Sequence, residues 1–139
     1  MKTVLVVEDD RLNWRVFQRI LTRLGGFIAK HTEDVEEILK IAQSGEADLI
    51  LMDVNLPNCR YQNKAVNGIE ITQLLKTNPI AARVPIIITT SDAIAGNLED
   101  FLNHSNADGY IPKPVIDPQT FLAQIQATLQ QHESPLCLH

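Results

Sequence analysis

The chain has 139 residues, 45% of them hydrophobic and 21% charged, with 12 basic and 17 acidic side chains and a net charge of −5. This composition suits one folded domain and argues against a disordered chain. Without a basic surplus to neutralise a phosphate backbone, no direct nucleic-acid partner is expected. No apolar run approaches the roughly 18 residues of a membrane span, and the apolar stretch after Thr3 is too short for a secretory leader. The reading is therefore no membrane and a cytoplasmic location. Cys59 and Cys137 have no partner at metal-binding spacing and read as free thiols.

Short apolar runs alternate with helical periods along the chain. Val4–Val7 reads as a strand buried on both faces, and Val16, Phe17, Ile20, Leu21 and Leu24 mark one face of a helix that Gly25-Gly26 ends. Phe27–Ala29 is a second strand. Val35, Ile38, Leu39 and Ala42 mark a second helix, and Leu49–Met52 is a third strand ending on Asp53. Asn55–Asn67 is polar and has no sustained period, so it reads as a long loop. Ile71, Leu74 and Leu75 mark a third helix stopped by Asn78-Pro79, and Pro85–Thr89 is a fourth strand. A weakly amphipathic fourth helix is expected over about Ala93–His104, and a short fifth strand at Gly109–Ile111. A last helix is marked by Phe121, Leu122, Ile125 and Leu129, and the segment 131–139 shows no pattern.

Five strands each followed by a helix give an α/β, (βα)5 doubly wound parallel sheet, with the flavodoxin-like strand order 2-1-3-4-5. Ligand chemistry in such sheets gathers beyond the carboxyl ends of the strands. There the sequence places Glu8-Asp9-Asp10 after strand 1, Asp53 after strand 3, Thr89-Thr90-Ser91 after strand 4 and Lys113-Pro114 after strand 5. Clustered carboxylates repel one another unless a hard divalent cation sits among them, and Mg²⁺ prefers oxygen ligands. The first turn carries acids and no glycine-rich nest, which disfavours a nucleotide cradled there. A carboxylate that receives a phosphoryl group fits better. On that reading Asp53 is the nucleophile, and Asp9, Asp53 and the backbone carbonyl of Asn55 hold Mg²⁺. Glu8 reaches the ion through water, and Lys113 and Thr90 contact the phosphoryl oxygens.

Taken singly, these residues have plainer readings. Asp9 and Asp10 could cap the first helix, Asp53 could be an acidic strand end, and Lys113 a solvated lysine in a turn. Trp14 lies off the apolar stripe of its helix, at the surface or against a partner. Cys59, Tyr61 and Lys64 read as loop filler. His31, His104, His132 and His139 share no spacing, and none is assigned to phosphotransfer.

Five segments together resemble the receiver domains of two-component response regulators, the CheY-like family. They are Val6–Asp10, Met52–Pro57, Asn67–Glu70, Pro85–Ser91 and Asp108–Pro114. The resemblance covers about residues 1–130 and leaves 131–139 as a short tail with no effector domain. It implies a stand-alone switch rather than an enzyme. Its Mg²⁺-dependent phosphoryl transfer to Asp53 would come from a sensor histidine kinase or a histidine phosphotransfer protein. It also implies that Thr90 moves toward the phosphoryl group as Tyr110 turns inward, and that the peptide before Pro114 is cis. Asn55 and Asp92 occupy the positions that tune dephosphorylation in the family. Output would pass to a downstream protein target through the fourth helix, fifth strand and last helix, a face through which a homodimer can also form. This sequence departs from the family pattern by extra residues within Asn58–Asn67. Two other functions remain open: a phosphohydrolase of the haloacid dehalogenase type, for which Asn55 is the wrong residue, and a pseudo-receiver that binds without being phosphorylated.

Overall fold

A computed structural model describes residues 2–90, 106–115 and 117–137, with side chains placed through Gln131 in the last helix. The main sheet consists of β1 (Thr3–Val7), β2 (Ile28–His31), β3 (Leu49–Asp53), β6 (Ile86–Thr90) and β7 (Gly109–Pro112). A separate hairpin supplies β4 (Arg60–Tyr61) and β5 (Lys64–Ala65). The sheet runs β2-β1-β3-β6-β7 with all pairs parallel, which is the expected order 2-1-3-4-5 once the hairpin is set aside. Register pairs Val6 with Leu51, Met52 with Ile88 and Thr90 with Pro112, so the strands finish along one edge.

The three central strands are buried at every residue because helices cover both faces of the sheet. The period of two is present but hidden in their apolar runs. Leu5, Val7, Ile50, Met52, Ile86 and Ile88 point to one core, shared with α2 (Val35–Ser44) and α3 (Gly68–Thr77). Val4, Val6, Leu49, Leu51 and Ile87 point to the other, shared with α1 (Arg11–Arg19) and α4 (Pro118–Cys137). There the Phe17 and Phe121 rings stack at 5.5 Å. No helix among the described residues is long and apolar enough to cross a membrane.

Side chains write the helix starts. Asp10 accepts the Leu12 and Asn13 amides ahead of α1, and Asp34 accepts the Glu36 amide ahead of α2. Asn67 and Glu70 form a reciprocal capping box on α3, which therefore begins earlier than Ile71. After Arg19, helix α1 widens into one π turn, Ile20–Leu24, in which the Gly25 amide reaches the Ile20 carbonyl.

Several sequence expectations need correction. The Asn55–Asn67 segment is not all loop, because it folds into the β4–β5 hairpin around Gln62 and Asn63, both at positive φ (53° and 67°). Cys59 and Tyr61 are not filler. Cys59 is buried and its thiol donates to the Glu33 carbonyl at 3.0 Å, while half-buried Tyr61 packs on the α2–α3 core; Lys64 is exposed. Trp14 is not a bare surface residue, since its ring stacks on His31 at 4.8 Å. The second strand lies one residue later than expected, with Phe27 in the core before it. The last helix continues to Cys137, taking in most of the segment that shows no period. The helix expected over Ala93–His104 lies outside the described residues.

Candidate functional site

The carboxyl edge of the sheet brings the expected residues together. Glu8 follows the last residue of β1, Asp53 ends β3, Thr90 ends β6, and Lys113 follows β7. Glu8, Asp53 and Thr90 are buried and Asp9 is half-buried. The Glu8, Asp9 and Asp53 side chains each offer a carboxylate oxygen, and these oxygens lie within 4.8 Å of one another. Lys113 Nζ enters this group, 2.9 Å from Glu8 Oε1 and 3.2 Å from Asp53 Oδ1. Its own amide donates to the Thr90 carbonyl, which extends the β6–β7 ladder and fixes where the lysine starts. The Lys113–Pro114 peptide is cis, as expected.

Asp53 is seated by its neighbours along the chain. The Asn55 amide donates to Asp53 Oδ1 at 3.3 Å, and the Val54 amide to the Thr89 carbonyl. Gly68 opens α3 directly against the Asp53 main chain, and a Cβ at Gly68 would run into the Asp53 carbonyl. Only glycine lets the helix approach this closely. The Asn-Gly pair before a helical period is the signal that marks the position in the sequence.

The electrostatics are strained in one direction. Burial pushes the Asp53 carboxyl up to about 7, helped by the hydrogen bond and charge of Glu8, while Lys113 pulls it down. Burial works against the charge on Lys113, but the Glu8 and Asp53 carboxylates outweigh it and hold its pKa above the ordinary lysine value. Two buried carboxylates thus share one lysine, with the Asp9 carboxylate beside them. An all-oxygen donor set with excess negative charge suits a small divalent ion such as Mg²⁺, so the residues present fit that cofactor. Such an ion, when bound, would supply charge neutralisation at the cluster.

The remaining candidates stand nearby. Tyr110 is half-buried against the α2–α3 core, and its carbonyl accepts from Gln124 Nε2 at 2.8 Å. Asn55 is exposed, two residues beyond Asp53. Asp92 lies outside the described residues. Asp10 serves as the α1 cap, and its amide donates to Glu8 Oε2 at 3.2 Å.

One contact has no signal in the sequence. His31, at the end of edge strand β2, donates from Nε2 to the Glu8 backbone carbonyl at 2.6 Å. Its ring also stacks on the Trp14 ring of α1. Histidine and tryptophan 17 positions apart on different elements show no shared spacing, and only the fold makes them neighbours.

Comparison with known proteins agrees with this geometry. A family model described as a response regulator receiver domain matches residues 4–126. The chain is 34% identical over 128 residues to the polar-differentiation response regulator DivK of Brucella anthropi, covering 92% of this chain and 96% of that protein. A CheY-like receiver domain protein from Methanospirillum hungatei superposes with a TM-score of 0.77 at 25% identity, over 97% of this chain and 98% of that one. The receiver domain of a sensor histidine kinase from Pseudomonas aeruginosa, solved with a magnesium ion coordinated in its active-site cleft, superposes with a TM-score of 0.70. It is 28% identical, over 94% of this chain and 95% of that one.

Proposed function

Because the chain belongs to the response regulator receiver domain family, we propose that it is a phosphorylation-controlled switch whose acceptor is Asp53. The observation that carries this reading is Lys113 Nζ lying 3.2 Å from Asp53 Oδ1 inside a three-carboxylate cluster. It supports a phosphorylated receiver over a pseudo-receiver, since a binding module needs no such arrangement.

In the step proposed, an Asp53 carboxylate oxygen attacks the phosphorus of a phosphohistidine on a sensor kinase or phosphotransfer protein. The new P–O bond forms as the P–N bond breaks, and the imidazole leaves with the electron pair and takes up a proton. Asp9, Asp53 and the Asn55 carbonyl would hold Mg²⁺, with Glu8 reaching it through water. Lys113 would shift from Glu8 and Asp53 onto the phosphoryl oxygens, where its fixed charge stabilises the transferred group. Thr90 would donate its hydroxyl to the same group, and Tyr110 would turn further into the core as Thr90 moves. Asn55 and Asp92 would set how readily water reaches the acyl phosphate. The downstream target would read the altered face through protein–protein contact.

The test is direct. Acetyl phosphate with Mg²⁺ should add one phosphoryl group, seen by intact mass, and the group should be lost in mild base or hydroxylamine. Asp53→Asn should abolish it. Labelling retained in Asp53→Asn, or no labelling of the parent protein, overturns the assignment.

A further inference from the structure

We propose that His31 is a positioning residue for the site: its imidazole holds the Glu8–Asp9 segment in place so that the two carboxylates face Asp53. The inference deepens the reading of Glu8, Asp9 and Asp53 as a Mg²⁺ site and rests on it.

The argument begins at the end of the β1–β2 ladder. The last register pair is Val6 with His31, and the final backbone bond runs from the Thr32 amide to the Val6 carbonyl at 3.3 Å. Beyond it the chain leaves the sheet: the Thr32 hydroxyl accepts the Asp34 amide, and Asp34 caps α2. The Glu8 carbonyl thus stands one step past the point where β2 can offer an amide. The His31 side chain takes that place, with Nε2 donating at 2.6 Å. A donor to a carbonyl must carry the proton, so the bond selects the tautomer protonated at Nε2.

The ring is itself held. Trp14 stacks on it at 4.8 Å with the planes 22° apart, and the Trp14 amide donates to the Asp10 carbonyl in the first turn of α1. The Trp14–His31 pair therefore braces both ends of the acidic loop, one on α1 and one on β2. Glu8 is tied through Oε1 to Lys113, through Oε2 to the Asp10 amide, by a side-chain hydrogen bond to Asp53, and through its carbonyl to His31. The first three ties hold the side chain, from within the loop, from a long lysine stem or from the Asp53 carboxyl. His31 is the tie that links the loop's main chain to the sheet edge. Three carboxylate oxygens within 4.8 Å repel one another, and a loop free to move would relieve that repulsion by swinging outward. Partners that orient metal-binding groups change affinity without touching the ion.

The test is Mg²⁺ titration of His31→Ala and His31→Gln beside the parent, followed by backbone amide shifts of residues 8–10 and 53–55. The glutamine amide keeps a donor of similar reach. The expected result is an Mg²⁺ dissociation constant about fivefold weaker in His31→Ala and near the parent value in His31→Gln. With acetyl phosphate as donor, His31→Ala should need more Mg²⁺ for half-maximal phosphorylation and reach the parent rate at saturation. Equal dissociation constants in His31→Ala and the parent overturn the proposal, as does a loss that glutamine does not rescue. If the parent protein itself binds no Mg²⁺, the failure lies in the metal-site reading and the positioning role falls with it.

Discussion

Replacing Asp53 with asparagine should stabilise the metal-free protein, and the gain should grow with pH. The ordinary pKa of 3.8 applies to the unfolded chain, whereas burial and Glu8 raise the folded value to about 7. The folded protein therefore binds this proton more tightly than the unfolded chain does. That contribution to stability is intact below 3.8, declines as pH rises, and is gone above about 7. At about 1.36 kcal/mol per pH unit, the loss amounts to roughly 2 kcal/mol at pH 5 and roughly 4 kcal/mol at pH 8. The Asp53 side chain is 3% exposed, so solvent screening removes little of it. Asparagine keeps the shape and an acceptor for Lys113 but carries no charge to desolvate. Urea unfolding of both proteins in chelator from pH 5 to 9 measures the difference, in which the titrating groups away from Asp53, Glu8 and Lys113 cancel. The midpoint of the Asp53→Asn variant should rise relative to the parent from pH 5 to about 7 and hold that lead above it, with a gain in thermal midpoint on the order of 10 °C at pH 8. Saturating Mg²⁺ should close or reverse the gap, because it stabilises only the protein that binds it. A difference flat in pH, or a less stable asparagine variant at pH 8, would refute the view of Asp53 as a desolvated carboxylate held under repulsion.

Three further outcomes follow from the same geometry. Gly68→Ala should destabilise the fold by about 2 kcal/mol or more, since its Cβ meets backbone rather than a yielding side chain, and circular dichroism melts will show it. Lys113→Met should leave the fold intact yet slow labelling by acetyl phosphate by about 10²-fold at saturating Mg²⁺, as the loss of a preorganised charge does elsewhere; an unchanged rate would remove Lys113 from the chemistry. In a Cys137→Ser background the remaining thiol should resist Ellman's reagent until denaturant is added. Cys59 is buried and burial pushes its pKa up to about 11, with the nearby carboxylates of Glu33, Asp9 and Asp34 adding to the effect.

Much of the site could be read from residue order because strands are short and their ends are chemical. Asp53 closes an apolar run, and an acid at the end of a buried run has few places to go but the edge of the sheet. Glu8, Thr90 and Lys113 follow the same rule, which is why four separated segments predicted one cluster. Elements whose cause is tertiary were not readable in this way. The hairpin strands are two residues each, too short for any period, and its turn uses Gln62 and Asn63 where glycine would have announced it. The His31 contact depends on β2 ending where it does and on α1 placing Trp14 over the ring. The continuation of α4 to Cys137 runs through an aperiodic stretch that holds Pro135, a helix breaker by propensity, so neither an apolar stripe nor composition betrays it.

The hairpin after β3 is shut at its base: the Val66 amide donates to the Cys59 carbonyl, and Cys59 is anchored to Glu33. Everything between those two residues is a closed ring hung from the fold. Lengthening such a ring costs little, since doubling a loop adds only about 0.6 kcal/mol of closure entropy. The exposed tip at Gln62 and Asn63 is therefore a natural splice point, where a fluorophore, an affinity peptide or a substituted sequence can be carried. Because the ring closes before the chain returns to Gly68 and Asp53, such a graft would leave the reaction centre alone, and this stretch of surface can diversify independently of the chemistry.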